Sequence, residues 1–305
     1  MRADELISAL IFIFFWVVIY AIEIGYVFYF IKRKVIAHSW FANVVHIIAV
    51  TGILCFAYSY FIEPYWIETK HIEIRTDKLK ESELTIVQIS DLHCDEKIRN
   101  ETKLPLIINA LTPDIIVFTG DALNTPRSLQ AFRETLSSLK ARIGKYAVKG
   151  NFDVWYWNAL DLFEHTGFSE LDGQSMTLSK DGETFSISGL DVGYSANLSF
   201  LDRLRPAVYN ILLYHYPGIN EEVKDVPVDL FLSGHTHGGQ VAIPFYGALV
   251  TLSKYGKKYE SGRYDVDGKV VYVNRGIGME GGCVPRIRFW ARPEITVFHI
   301  RPKEK

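Results

Sequence analysis

Residues 84–93 read LTIVQISDLH, and this stretch gives the first indication of the fold. The mostly apolar run 84–89 predicts a short strand buried on both faces, as is typical of the strands in α/β sheets. A polar segment with Asp91 and His93 follows directly. Residues two positions apart in an extended segment point the same way, so these two side chains can bind one metal ion together.

The same pattern, an apolar run that ends in polar residues, returns further along the chain. Such runs precede Gly120-Asp121, Gly150-Asn151, His215 and Gly234-His235-Thr236-His237. Helix-like stretches at 104–111 and 129–139 lie between the early runs, whereas runs at 185–187 and 270–273 come without clear helices between them. The pattern predicts an α/β fold with a two-layered mixed sheet sandwich flanked by helices.

Polar side chains at these strand ends form a candidate metal site, because ligands collect at the carboxyl ends of strands in open α/β sheets. Taken singly, an Asp after a strand is more often a helix cap, and a lone His is more often a core residue. Five such strand ends in one domain favour a site for divalent transition metals. The candidate ligands are Asp91, His93, Asp121, Asn151, His215, His235 and His237.

The first part of the chain is strongly apolar. Residues 6–31 contain one charge, Glu23, and residues 40–66 hold His46 but no full charge before Glu63. At 1.5 Å per residue the first run is roughly 39 Å long, enough to cross a hydrocarbon core of about 30 Å. We therefore expect a membrane anchor of two transmembrane helices at 1–67, a catalytic domain at 68–305, and a multi-pass protein of the cell membrane. A cleaved signal peptide is the alternative for the first run, which is longer than a typical signal core.

Charge and cysteine content restrict the partners and the location of the domain. Lys32-Arg33-Lys34 lies between the two runs, and basic short loops stay in the cytoplasm, so the domain is expected outside. The net charge of −2 argues against a nucleic-acid partner. The three cysteines leave a Cys94–Cys283 disulfide open and do not settle the compartment. The sequence does not address oligomeric state.

Together, these motifs resemble the calcineurin-like metallophosphoesterase superfamily over about residues 84–300. The runs at 233–240, 274–278 and 293–295 resemble its bacterial YkuE/YaeI-like subgroup. The resemblance implies a four-layer α/β/β/α sandwich and a phosphoric ester hydrolase with two divalent ions, such as Mn, Fe or Zn. It further implies that one ion is held by Asp91, His93 and His237, that the other is held by Asn151, His215 and His235, and that Asp121 bridges them.

One position departs from the family pattern. The family usually has a histidine after Gly-Asn, and that histidine is thought to assist the leaving group, but here Phe152 follows Asn151. Three interpretations are open: the enzyme is inactive, Asp153 acts as the catalytic acid, or the leaving group needs little protonation. All seven ligands are kept, which argues against the first. A phosphate leaving group, as produced from a pyrophosphate, fits the third.

The resemblance extends to UDP-2,3-diacylglucosamine pyrophosphatases of lipid A synthesis, one branch of which lacks the same histidine. With the membrane runs, this predicts hydrolysis of a phosphodiester or pyrophosphate bond in a lipid-linked substrate. Trp155, Tyr156 and Trp157 either line an apolar approach to the metals or simply pack. Two alternatives are an esterase for soluble phosphates and a weakly active metal-binding membrane scaffold. UDP-sugars are cytoplasmic, which conflicts with a domain outside, and both expectations stay open.

Overall fold

The computed structural model describes residues 3–33, 40–193, 197–280 and 285–304. Its helices are α1 (Ala3–Arg33), α2 (Trp40–Phe61), α3 (Leu104–Ala110), α4 (Leu129–Ser137) and α5 (Asn151–Tyr156). Its strands are β1 (Glu68–Thr76), β2 (Leu84–Ile89), β3 (Ile115–Phe118), β4 (Gly144–Ala147), β5 (Phe168–Glu170), β6 (Gln174–Lys180), β7 (Glu183–Gly189), β8 (Tyr209–Leu213), β9 (Leu230–Ser233), β10 (Ala242–Ile243), β11 (Gly247–Ala248), β12 (Gly262–Val266), β13 (Lys269–Val273) and β14 (Glu294–Pro302).

The strands form two mixed six-stranded sheets and one small hairpin. The first sheet has the order β1-β14-β2-β3-β4-β5, and β2 to β5 run parallel. The second has the order β12-β13-β9-β8-β7-β6, and β13, β9, β8 and β7 run parallel. Since β2, β3, β8 and β9 are each followed by a candidate ligand, parallel pairing brings those ligands to one edge of each sheet.

Three apolar clusters define the layers. The first lies between the sheets and contains Ile86 and Val117 from one sheet and Ile211 and Leu232 from the other. The second packs the first sheet against α3 and α4, where Phe132 and Leu136 lie one helical turn apart. The third covers the outer face of the second sheet. The predicted four-layer sandwich is therefore confirmed, but 3-10 turns at 199–203, 217–221 and 256–259 form most of the last layer.

Helices α1 and α2 are long and apolar enough to cross a membrane, over Ala9–Lys32 and Trp40–Tyr65. Most of their side chains are exposed, unlike those of a core helix in a soluble domain. Polar contacts between their described residues include the Tyr20 hydroxyl, which donates to the Ala49 carbonyl at 3.2 Å, and His46 Nδ1, which lies 2.7 Å from a Glu23 carboxylate oxygen. Lys34, in the predicted cytoplasmic turn, lies outside the described residues.

The end of α2 is attached to the sandwich by hydrogen bonds. The Glu63 carboxylate accepts the N–H groups of Trp290 and Ala291 at 3.0 and 2.6 Å. The Arg288 N–H donates to the Ser59 carbonyl at 3.0 Å, and the Asn100 side chain donates to the Pro64 carbonyl at 2.7 Å. The helical pair is thus joined to the segment that leads into β14.

Candidate metal centre

The predicted ligands meet where the strand ends of both sheets face each other. The loops after β2, β3 and β4 carry Asp91, His93, Asp121 and Asn151, and those after β8 and β9 carry His215, His235 and His237. Six of the seven are buried and His235 is half-buried. Charged and imidazole side chains are rarely buried together unless they pair or bind metal, so the arrangement requires explanation.

The side chains form two neighbouring groups. Ligand atoms of Asp91, His93 and His237 lie within 4.8 Å of one another, as do those of Asp121, His215 and His235. One Asp121 carboxylate oxygen lies 3.2 Å from His215 Nε2 and 3.5 Å from His93 Nε2. Asp121 therefore sits between the groups, where the resemblance predicts a bridging ligand.

Several buried polar atoms at the centre of the site lack hydrogen-bond partners. Within the described ranges of the chain, no partner is found for His93 Nε2, His215 Nε2, His237 Nε2 or Asn151 Oδ1. Buried polar atoms are normally hydrogen-bonded, and an unpaired one costs about 1–3 kcal/mol. Four such atoms beside two carboxylates fit the donor set of a dinuclear divalent metal site.

Outer hydrogen bonds orient two of the imidazoles. His215 Nδ1 lies 2.7 Å from the Thr119 carbonyl, which only accepts, so this nitrogen donates and Nε2 is the ring atom that faces Asp121. His93 Nδ1 lies 3.1 Å from the side-chain oxygen of Asn124, whose amide donates to the carbonyls of His93 and Met279. Such bonds to the second ring nitrogen fix the ring orientation at metal sites.

The loops are held in unfavourable backbone conformations. Five of the predicted ligands have positive φ: Asp91 (48°), His93 (40°), Asp121 (60°), His235 (75°) and His237 (51°). Residues other than glycine rarely adopt this region, and such strain concentrates at functional sites. Gly120 has φ 98°, and a Cβ there would lie 2.5 Å from the Gly150 nitrogen, so the two loops touch through backbone.

The ionisable groups of the site shift one another's pKa strongly. Burial disfavours a charged His215, but Asp121 and Asp91 outweigh it and raise the His215 pKa to about 10. Burial raises the pKa of Asp91 to about 7, while Asp121 resists burial because nearby imidazoles lower its pKa to about 2. These opposed shifts in adjacent groups mark a functional site.

Asp153, the predicted catalytic acid, has both carboxylate oxygens bonded to backbone N–H groups. Its carboxylate is fully buried and accepts the N–H groups of Asp121, Ala122 and Gly150 at 2.8, 2.8 and 2.9 Å. Burial raises the Asp153 pKa to about 7, whereas the N–H donors favour the charged form. Because both oxygens face backbone donors, the side chain joins the Asp121 loop to the start of α5.

Phe152 faces the site at the position of the missing family histidine. Its ring lies edge-to-face against His93, with centroids 4.8 Å apart. Its backbone N–H donates to Asp121 at 2.9 Å. A phenyl ring cannot donate a proton, so this position contributes shape and an apolar surface.

A pocket of about 530 Å³ is lined by Asn151 and His235 and so borders the second group of candidate ligands, which contains Asp121. Its aromatic lining consists of Phe152, Trp155, Tyr214, Tyr216 and Tyr255. Trp155 is 57% exposed and thus available at the mouth, whereas the Trp157 indole donates to the Leu123 carbonyl and belongs to the packing. Of the three expected aromatics, Trp155 therefore lines the approach.

Sequence reasoning missed three neighbours of the site. Asn124 orients His93, Glu280 lines the pocket with a carboxylate oxygen 3.8 Å from His237 Nε2, and Arg288 Nη2 lies 3.4 Å from His237 Nδ1. Burial, with Asp121 and Asp91, raises the Glu280 pKa to about 7. Glu280 and Arg288 follow no strand-end pattern, and Asn124, three residues after Asp121, carries only a weak signal.

The disulfide left open by the sequence is not formed, since Cys94 is a free, buried thiol. Cys283 lies outside the described residues.

The comparison with known proteins agrees with this geometry. The sequence profile of the calcineurin-like phosphoesterases matches residues 84–239. An uncharacterised metallophosphoesterase of Bacillus subtilis, YkuE, is 38% identical over 81% of this chain and 90% of its own length. The phosphodiesterase YaeI of Escherichia coli is 27% identical over 80% and 92%, respectively. The UDP-2,3-diacylglucosamine pyrophosphatase LpxG of Chlamydia trachomatis is 28% identical over 70% and 82%.

Proposed function

The chain belongs to the calcineurin-like phosphoesterases, and from that premise we propose that it is a membrane-anchored two-metal hydrolase of a lipid-linked phosphodiester or pyrophosphate. The family makes it a metal-dependent hydrolase of phosphoric esters. The proposal adds an anchor at 1–67, a catalytic domain at 68–305, the seven ligands with Asp121 as the bridge, and the substrate class.

In this proposal some residues bind the metal ions and others position those ligands. Asp91, His93 and His237 hold one divalent ion, and Asn151, His215 and His235 hold the other. When bound, these ions supply Lewis acidity toward the phosphoryl group. Asn124 and the Thr119 carbonyl orient imidazoles, and Asp153 keeps the Asp121 and Asn151 loops together.

The proposal of a lipid-linked substrate rests on one observation, the aromatic pocket beside the predicted metal ligands. A phosphate group alone needs no aromatic wall, whereas an acyl chain or a nucleobase gains from one. Lys254 also lines this pocket, on the segment after the β10–β11 hairpin. Similarity to UDP-2,3-diacylglucosamine pyrophosphatases supports a nucleotide-linked lipid as the specific candidate.

A substrate screen with the purified full-length chain tests this function. The substrates are UDP-2,3-diacylglucosamine, a lipid pyrophosphate without a nucleotide, a soluble UDP-sugar and bis-p-nitrophenyl phosphate, each with Mn, Fe or Zn. We expect faster turnover of the lipid-linked pyrophosphates than of the soluble compounds. Equal turnover of soluble compounds would favour a soluble substrate, and two bound ions without any turnover would favour a scaffold.

We place the catalytic domain outside the cytoplasm because of the basic turn at 32–34. A reporter enzyme that is active on only one side of the membrane, fused after Lys305, shows on which side the domain lies. The same reporter fused after Lys34 is the control for the opposite side. We expect the Lys305 fusion to be active only outside. A cytoplasmic signal would overturn this topology and remove the conflict with a UDP-linked substrate.

A further inference from the structure

The β10–β11 hairpin exposes aromatic side chains at its tip. Tyr246 N–H donates to the Ile243 carbonyl at 3.0 Å, which closes a tight turn with Pro244 second and Phe245 third. Phe245 has φ 67°, at a position where glycine or asparagine is favoured, and its side chain is fully exposed. Packing within the sandwich does not explain a bulky ring held outward in a strained turn.

The hairpin is firmly attached to the metal-site loop. A Cβ at Gly239 would lie 2.3 Å from Ala248 Cβ, so the strand β11 lies directly against the residues after His237. The Lys257 ammonium lies 4.0 Å from the centre of the Tyr246 ring and donates to the carbonyls of Tyr246 and Ala248 at 2.5 and 3.1 Å. The exposed tip therefore has a defined direction relative to the site.

The hairpin also lies beside the first apolar helix. An apolar cavity of about 470 Å³ between them is lined by Ile11, Phe12, Phe15, Ile243, Tyr246 and Leu249. The apolar span of α1 begins at Ala9, and Phe15 lies roughly 9 Å further along the helix at 1.5 Å per residue. Apolar faces of interfacial segments enter a bilayer by about 5–10 Å, so a hairpin beside residues 11–15 lies at the boundary between the headgroups and the acyl chains.

We propose that the β10–β11 hairpin inserts Phe245 and Tyr246 at the boundary between lipid headgroups and acyl chains and thereby holds the pocket mouth against the membrane. Continuity with α1 identifies a lipid surface as the partner, because one apolar cavity is shared by the span and the hairpin. Leu252 and Lys254, just after the hairpin, line the pocket, and both are exposed. The inference rests on the proposed function for the presence of α1 in a bilayer.

Depth-dependent fluorescence quenching tests this contact. The full-length chain with Cys55→Ser and Cys283→Ser keeps only the buried Cys94, and Phe245→Cys then provides one site for an environment-sensitive dye. The protein is placed in vesicles of phosphatidylcholine and phosphatidylglycerol in equal parts, with nitroxide groups at the headgroup or within the acyl chains. Asp181→Cys is the matched control, because the β6–β7 turn lies at the opposite edge of the second sheet from the ligands.

We expect headgroup nitroxides to quench the dye at 245 several-fold more than the dye at 181. Equal quenching at the two positions would overturn the proposal, whether the hairpin faces water or a second protein. If Phe245→Cys lowers the melting temperature of the protein, the same dye at Leu252→Cys replaces it with the same expectation. The measurement needs no turnover, so absence of phosphatase activity would contradict the proposed function without affecting this result.

Discussion

The two halves of the candidate metal centre are held in place differently. The half from the first sheet, which carries Asp91, His93, Asp121 and Asn151, is held by Asp153 and Asn124, which belong to the same loops and join them to one another. The half from the second sheet, which carries His215, His235 and His237, is bordered by the pocket and by Arg288, whose backbone bonds to α2. The first half is thus held by residues of its own loops, whereas the second adjoins a segment that is bonded to α2.

Asp121→Ala should have the largest effect, because this carboxylate lies between the two halves. We expect loss of both bound ions and a fall in turnover beyond the about 10–100-fold typical of outer residues at metal sites. Metal content by mass spectrometry and hydrolysis of bis-p-nitrophenyl phosphate measure this. Two ions retained at full occupancy would refute the bridging assignment.

Phe152→His changes the chemistry of the first half without removing a ligand. A placed proton donor is typically worth about 10²–10⁴ in rate, so turnover of alkyl and aryl phosphodiesters should rise toward that range. Pyrophosphate hydrolysis should change little, because a phosphate leaves without protonation. Phe152→Leu is the control for loss of the ring. If neither substrate class responds, and the unaltered protein cuts both equally fast, the leaving-group argument is wrong.

Asp153→Asn tests whether this residue supports the first half or acts as an acid. The amide replaces one acceptor oxygen by a donor group that faces backbone N–H groups. Hydrogen bonds to a charged group are worth about 1.5–3 kcal/mol, so the free energy of unfolding should fall by about that amount. Denaturant unfolding measures it, with the exposed Asp181→Asn as a control. Unchanged stability, together with slower cleavage of poor leaving groups only, would restore the catalytic role.

Asn124→Ala should give the smallest effect, confined to the ion held by His93. We expect that site to bind its metal about 10–100-fold more weakly, with the second ion retained. Calorimetry, in which the divalent metal is titrated into the metal-free protein, resolves the two binding sites. Asn109→Ala, on α3 and away from the site, is the matched control. Equal weakening of metal binding at both sites would mean that the two ion sites are not independent.

Much of the first half is predictable because its signals are local. The apolar run 84–89 coincides with β2 to the residue, and the apolar run before Gly120-Asp121 forms β3. Parallel pairing then brings all seven predicted ligands together, as the strand-end pattern predicts. That these seven residues bind metal, and which of them bind each ion, stay predictions.

The rest depends on contacts between distant residues. The position of Asp153 beside Phe152 predicts a catalytic acid, but the N–H groups of Asp121 and Ala122, 32 and 31 residues away, become its neighbours only when the loops fold. Glu280 and Arg288 approach His237 from positions well beyond the end of the apolar run 270–273, so the strand-end pattern does not indicate them. The hairpin strands are two residues each, too short for an alternating pattern to be recognised.

The position of β14 has a consequence for biosynthesis. β1 follows the apolar helices directly, but its neighbour in the sheet is β14, with Glu68 opposite Glu294. At about 5–20 residues per second, on the order of tens of seconds separate the synthesis of these two strands. β2 also borders β14, so the first sheet cannot close until the end of the domain has been made. The strands β2 to β5 can pair with one another before this point, but the sheet that joins them to β1 is completed only after the last strand leaves the ribosome.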